Sequence, residues 1–350
     1  MVLLTALILL ATVFRGGNRS VALWVLECLA LGVLLAAVVP LLRGHPAHPH
    51  ASPLRQVAWW TLLLCPIWLP AIQWMAGSTA HPSATVYASL SSLPIVACLL
   101  AAEWVDDVQA VQLIKLWLGV ALAQALFGLA QLSGAEALFL GMTTNEPVIG
   151  TYASKNTYAN LLVMAIPLAV FQFFKAQSDR RGASTRPLWG WGLAVFVLVV
   201  TILLTTSRTG IATGLLTLLL SVMLLSSRSK GGRWGGIWWF VLALALVGVA
   251  LLAGGLDWVE RFDTERLVVD DAARALTREA TWQGALAYWP LGSGLGSYAW
   301  VFPRFQAPEV GRYWLDLAHN DYLQILMETG ALGLIAMALA LALVGRRALQ

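Results

Sequence analysis

Apolar residues in this chain come in long runs broken by short polar stretches. A helix rises about 1.5 Å per residue, so roughly 20 such residues cross a hydrocarbon core about 30 Å thick. No water is available there, so a spanning segment must bond its own backbone N–H and C=O groups, as a helix does. A β-barrel is the other solution, but it needs apolar and polar positions in alternation, and runs such as Leu242 to Leu252 have none. Charged residues make up 11% of the 350 residues, against about 25% in soluble domains. The pattern predicts an all-α, polytopic transmembrane helix bundle of about ten spans. They fall near 2–14, 21–42, 57–75, 86–103, 112–132, 157–174, 189–206, 210–226, 236–254 and 321–345. The whole of 1–350 is then one integral membrane domain, with 255–320 as a long loop on one face.

Orientation follows from Lys and Arg, which are in excess in short cytoplasmic loops. Lys175, Arg180, Arg181 and Arg186 follow the sixth run, and Arg228, Lys230 and Arg233 follow the eighth. Arg43 and Arg55 flank the loop after the second, and Arg346 and Arg347 follow the last. With ten crossings all of these share one side, the cytoplasmic one. The opposite face then holds 133–156, the tight turn Ser207-Arg208-Thr209-Gly210, and 255–320. Arg15 and Arg19 run against this arrangement, as do Glu103, Asp106 and Asp107, although acidic residues contribute little to topology. Met1 to Phe14 lacks a basic n-region and reads as a short first span rather than a signal peptide. A net charge of +4 with no basic stripe gives no reason to expect nucleic acid. Cys28, Cys65 and Cys98 lie in apolar runs and read as packing. His45, His48 and His50 stand among prolines and read as a solvated linker.

The outer face carries the residues suited to chemistry. Arg208 stands between two apolar runs with almost no loop, so it lies at the membrane boundary. Its planar guanidinium suits phosphate; taken alone the position reads more simply as an arginine that snorkels to head groups, although its outward placement runs against the usual bias. Arg278 to Trp289 reads as an interfacial helix. Pro290-Leu291-Gly292-Ser293-Gly294-Leu295-Gly296 follows it, and its alternate glycines fit either a flexible turn or a close backbone approach to a ligand. His319 precedes the last run, and an imidazole can accept a proton from an alcohol, which suits a general base, while a polar surface residue is the plainer account. Asn320 or Asp321 caps the helix that follows. Glu328 lies about two turns inside that run, a costly position that calls for a partner or a function. Lys155 and Asn156, before the sixth run, suit phosphate and sugar hydroxyls, or are simply a solvated loop.

Taken in order, these segments resemble the O-antigen ligase and polymerase superfamily. The resemblance rests on Gly150-Thr151-Tyr152 with Asn156, and on Ser207-Arg208-Thr209-Gly210. It continues with Arg278 and Trp282 ahead of Pro290-Leu291-Gly292-x-Gly294-x-Gly296, then His319-Asn320-x-x-Leu323 with Glu328-x-Gly330-x-x-Gly333. It covers the chain from about Gly150 onward, and the N-terminal third is matched by hydropathy alone. The resemblance implies a membrane glycosyltransferase C type of fold in the bacterial inner membrane, active on its periplasmic face in lipopolysaccharide or other polysaccharide biosynthesis. It implies a glycan donor carried on undecaprenyl diphosphate, transferred without metal or other cofactor to a hydroxyl of a glycan, a lipid A–core or a protein. Arg208 and Arg278 match the arginines thought to bind the diphosphate, and His319 matches the proposed base. Superfamily members usually continue with further spans, so the chain resembles a short member or part of a longer one.

The residue types suit that reaction on their own chemistry. Charge grows on the leaving diphosphate as the anomeric bond breaks, and fixed guanidinium groups stabilise it. A base such as His319 activates the acceptor hydroxyl, and in-line displacement inverts the anomeric configuration. Lys155, Asn156, Asn320, Gly292, Gly294, Gly296 and Glu328 are expected to bind substrate, with Glu328 or Asp321 also able to orient His319. A metal-dependent reaction would look instead to Asp270 and Asp271. Two other functions compete. A transporter or flippase for a lipid-linked sugar predicts ionisable residues through several spans, whereas Glu27 and Glu328 are the mid-span charges here. A non-catalytic scaffold of polysaccharide assembly makes no demand on His319 or the two arginines.

Overall fold

The computed structural model describes residues 2–13, 20–44, 53–134, 148–178, 186–228, 264–310 and 314–348. Among them all regular structure is helical. In order these are α1 (Val2–Val13), α2 (Ser20–Leu42), α3 (Pro53–Leu63), α4 (Cys65–Met75), α5 (Pro82–Ser91), α6 (Leu93–Ala102), α7 (Asp107–Gln131) and α8 (Lys155–Ser178). There follow α9 (Arg186–Leu204), α10 (Arg208–Arg228), α11 (Thr264–Ala287), α12 (Tyr298–Val301) and α13 (Asp321–Ala348). Six segments among the described residues are long and apolar enough to cross a membrane: α2, α5 with α6, α7, α8, α10 and α13. The pair α3 and α4 makes a seventh if it counts as one span; it bends by 68°. The bend falls where Pro66 opens α4, because proline lacks the N–H and its ring crowds the preceding turn. Val2–Val13 and Trp189–Leu204 are shorter apolar helices. The expected span at 236–254 lies outside the described residues, as do the histidines of the 45–50 stretch and the side chains of Asp270 and Asp271.

The chain divides into two compact units. The first, Met1–Leu26 with Val105–Trp258, is built round α8. Some 61% of its apolar window is buried, against 33% or less in the other long helices, so α8 is the helix its neighbours enclose. Its Tyr158, Ala159, Leu162, Ala165, Ile166 and Ala169 are fully buried at helical spacing, with α7, α9 and α10 packed round them. In lipid no hydrophobic force drives helices together, so close packing must do it, and small residues allow the approach. A Cβ on Gly210 would lie 2.5 Å from the Ala159 Cβ, and one on Gly214 3.3 Å from the Ile202 Cγ2. These two glycines let α10 lie against its neighbours.

The second unit, Glu27–Trp104 with Val259–Gln350, packs α11 along α13, which also meets α3 and α4. Ala280, Tyr298, Phe302 and Met327 form one apolar cluster. Ala37, Leu63, Val96 and Leu100 form another, joining α2, α3 and α6. Helix α13 is broken at Gly330, whose φ of 61° and ψ of −148° leave the helix conformation. The break frees backbone groups inside an apolar span, and each needs a partner.

Candidate functional site

In the first unit two glutamines of α7 hold the segment that leads into α8. Gln131 Oε1 accepts from the N–H groups of Ile149 (3.0 Å) and Gly150 (2.9 Å), and its Nε2 donates to the Gly150 carbonyl (2.9 Å). Gln124 Oε1 accepts from the Thr151 N–H (3.1 Å), and its Nε2 donates to Thr151 Oγ1 (2.9 Å). Thr151 Oγ1 donates in turn to the Thr12 carbonyl. Gly150 has φ +58°, and a Cβ there would meet the Tyr158 ring at 2.5 Å, so glycine is required. Burial pushes the phenol of Tyr152, in the same segment, up to about 12.

That scaffold fixes the start of α8, where Lys155 and exposed Asn156 stand. Asn156 Oδ1 accepts from Ser207 Oγ (2.7 Å), which ties the first turn of α8 to the residue before α10. Ser207 is itself buried and its Oγ accepts the Gly210 N–H (3.1 Å), an N-cap for α10. The preceding Thr206 has φ 55°, which ends α9 and turns the chain. Arg208, the first residue of α10, is exposed. Two helix N-termini and the cations Lys155 and Arg208 therefore stand together, an electropositive arrangement suited to an anion.

In the second unit the glycine loop docks into the break of α13. Ser293 N–H donates to the Met327 carbonyl (2.8 Å), Gly294 N–H to the Glu328 carbonyl (2.9 Å), and Ala331 N–H to the Pro290 carbonyl (2.9 Å). Gln73, fully buried in α4, donates through Nε2 to the carbonyls of Leu291 (2.7 Å) and Glu328 (2.7 Å). Its Oε1 accepts the Leu295 N–H (3.2 Å). The Glu328 carboxylate accepts from the N–H groups of Gly296 (2.9 Å) and Tyr298 (3.1 Å) and from Gln324 Nε2 (3.4 Å). The three glycine amides are thus used inside the protein, Gly292 N–H going to the Tyr288 carbonyl (2.8 Å). The loop is a fixed brace rather than a flexible turn. Burial and the neighbouring Glu328 push the Tyr298 phenol up, against the Thr281 hydroxyl bonded to it, to about 12.

His319 is exposed, at φ 51°, one residue before the cap of α13. The cap is Asn320, whose Oδ1 accepts the Leu323 N–H (3.2 Å). Gln324 joins this corner to Glu328, since its Oε1 accepts the Ala318 N–H (3.0 Å). Arg278 is exposed on α11, a turn after exposed Arg274 and a turn before half-exposed Trp282. The structure therefore groups Lys155, Asn156 and Arg208 in the first unit. It groups the glycines with Glu328, and Asn320 with Gln324, in the second, where Arg278 and His319 also belong. Reading the sequence alone passes over Gln73, Gln124, Gln131 and Gln324. Their signal is an amide inside an apolar run, which must find a partner as surely as a charge must.

Apolar helices with polar, arginine-bearing and glycine-rich segments at the starts of several spans define a multi-pass helical membrane protein. The O-antigen ligase family model matches residues 193–338, a stretch that contains Arg208, Arg278, the glycine loop, His319 and Glu328. Over those residues the match supports a relationship to the O-antigen ligase superfamily. What that family suggests in general is a glycosyltransferase-type enzyme with a lipid-linked glycan donor and a polysaccharide or lipid acceptor. No curated protein and no solved structure matches the chain.

Proposed function

We propose that the protein transfers a glycan from undecaprenyl diphosphate to an acceptor hydroxyl, with inversion and without a metal, at the periplasmic face of the bacterial inner membrane. The reading takes the chain across the membrane about ten times, with 255–320 on that face. One observation carries it: the family match includes both arginines and the histidine within 193–338. The electropositive start of α8 and α10, with Lys155 and Arg208, supports a diphosphate at that end of the first unit.

In this reaction the acceptor oxygen attacks the anomeric carbon while His319 takes its proton. The anomeric C–O bond breaks, and its electrons leave on the lipid diphosphate. Arg208 and Arg278 are permanently charged, so at a low-dielectric boundary they stabilise the leaving charge more than the bound donor. Asn156 and Ser207 fix the backbone that carries Arg208, and Asn320 fixes the backbone next to His319. Gly292, Gly294 and Gly296 act through the brace that orders Glu328, and not by free amides.

The test is purified protein with a lipid-diphosphate glycan and candidate acceptors, its products read by mass. Arg208→Ala or Arg278→Ala is expected to slow transfer by about 10²–10³-fold. His319→Ala is expected to slow it by about 10²–10⁴-fold. Full-rate transfer by His319→Ala and Arg208→Ala sinks the assignment. Lost arrival of donor at the periplasm in these variants, with no transfer by the purified protein, marks a flippase instead.

A further inference from the structure

We propose that a cavity in the second unit holds an uncharged, hydroxyl-bearing sugar ring of the glycan substrate and turns anionic rings away. The cavity measures about 390 Å³, within the range of about 300–1,000 Å³ common for small-molecule sites. Leu295 and Leu317 help form an apolar wall, and Ser92, Asp316, Gln324 and Glu328 bring polar groups to it. A pyranose has the same division, apolar C–H faces and a rim of hydroxyls. Glu328 is 7% exposed, and three of its roughly four acceptor positions are taken by Gly296, Tyr298 and Gln324, so its carboxyl is held still. Gln324 is fixed between Ala318 and Glu328. Such rigidly held groups fit sugar hydroxyls at little ordering cost.

Charge decides what is excluded. Among the described residues no lysine or arginine lines the cavity, while Asp316 and Glu328 both do. A diphosphate or a sugar carboxylate would meet like charge at these two carboxylates, with no counterion among the described lining residues, and like-charge contacts disfavour binding. A prenyl tail would strip water from the polar groups and return no hydrogen bond. The uncharged ring is the occupant that uses both walls. That this ring belongs to the glycan substrate rests on the transfer reading above.

The experiment measures binding of methyl glucoside and methyl galactoside, and of their uronate counterparts, to the purified full chain by saturation-transfer NMR. A neutral glycoside is expected to bind at least ten-fold more tightly than its uronate. Ser92→Phe, which fills the cavity, is expected to weaken neutral binding ten-fold or more. Asp316 is exposed at the rim, so Asp316→Asn and Asp316→Lys leave the packing intact; the first is expected to narrow the preference and the second to reverse it. Equal binding of neutral and anionic glycosides, indifference to Ser92→Phe and Asp316→Lys, or displacement of the glycoside by a sugar-free prenyl alcohol each overturns the proposal. In steady-state transfer, Ser92→Phe raises KM for the donor if the ring is the donor's, and for the acceptor if it is the acceptor's. A separate arm follows binding of sugar-free undecaprenyl diphosphate. If Arg208→Ala leaves that binding unchanged while the glycosides behave as expected, the transfer reading fails and the cavity stands.

Discussion

Gln73, Gln124 and Gln131 each lie in an apolar helix, and each bonds backbone groups that no regular structure satisfies. An amide suits this task because it donates and accepts at one end of a short side chain, without the solvation cost of a charge. Gln73 shows the energetics. It holds the carbonyls of Leu291 and Glu328 and the N–H of Leu295, while the Glu328 carbonyl has a second donor in Gly294. Gln73→Leu removes the partners of the Leu291 carbonyl and the Leu295 N–H, at about 1–3 kcal/mol for each. The expected outcome is a lower thermal midpoint, read by size-exclusion after graded heating, together with loss of transfer. An unchanged midpoint means the loop keeps its place without this side chain.

At the scale of elements, the break in α13 and the glycine loop make one structure. A Cβ on Gly330 would lie 2.0 Å from the Pro290 carbonyl oxygen, and one on Gly292 would lie 2.4 Å from the Glu328 carbonyl oxygen. Gly330 also has φ +61°, where L side chains are strained. Gly330→Ala is therefore expected to unseat the loop, release the Glu328 carboxyl from Gly296 and Tyr298, and abolish transfer with poor folding yield. A Cβ on Gly345, in the same helix, would have nothing within 4 Å, so Gly345→Ala is expected to be neutral or stabilising by about 0.5–1 kcal/mol. Both variants are compared by yield and thermal midpoint, and equal behaviour contradicts the account. The same element marks the limit of what is legible in the sequence. The helices are legible because run length and apolarity are local properties. The loop is legible only as glycines, because its partners stand in α4 and α13, and a pairing across that separation leaves no periodic trace. The candidate site is legible in its charged and aromatic members and opaque in its glutamines, whose value lies in backbone groups that hydropathy does not register.

At the scale of the whole molecule, the transfer reading makes a demand that no single residue reveals. Arg208 and His319 share an aqueous face only if an even number of crossings separates them. Helix α10 supplies one crossing, and the apolar run at 236–254 must supply the other. The basic residues at 228–233 support this count, since the positive-inside bias puts them opposite Arg208. Cysteine labelling in cells tests it directly. With Cys28, Cys65 and Cys98 replaced, single cysteines are introduced as Thr209→Cys, His319→Cys and Arg346→Cys. An impermeant maleimide that crosses only the outer membrane is expected to label the first two and spare the third. Labelling of Thr209→Cys without His319→Cys would mean one crossing between them, and a diphosphate held by Arg208 would then lie on the wrong side of the bilayer from the base. A label on Arg346→Cys with none on the other two would invert the molecule and move the chemistry to the cytoplasmic face. In that case the donor meets the enzyme before it crosses the membrane, and the acceptor must be sought there.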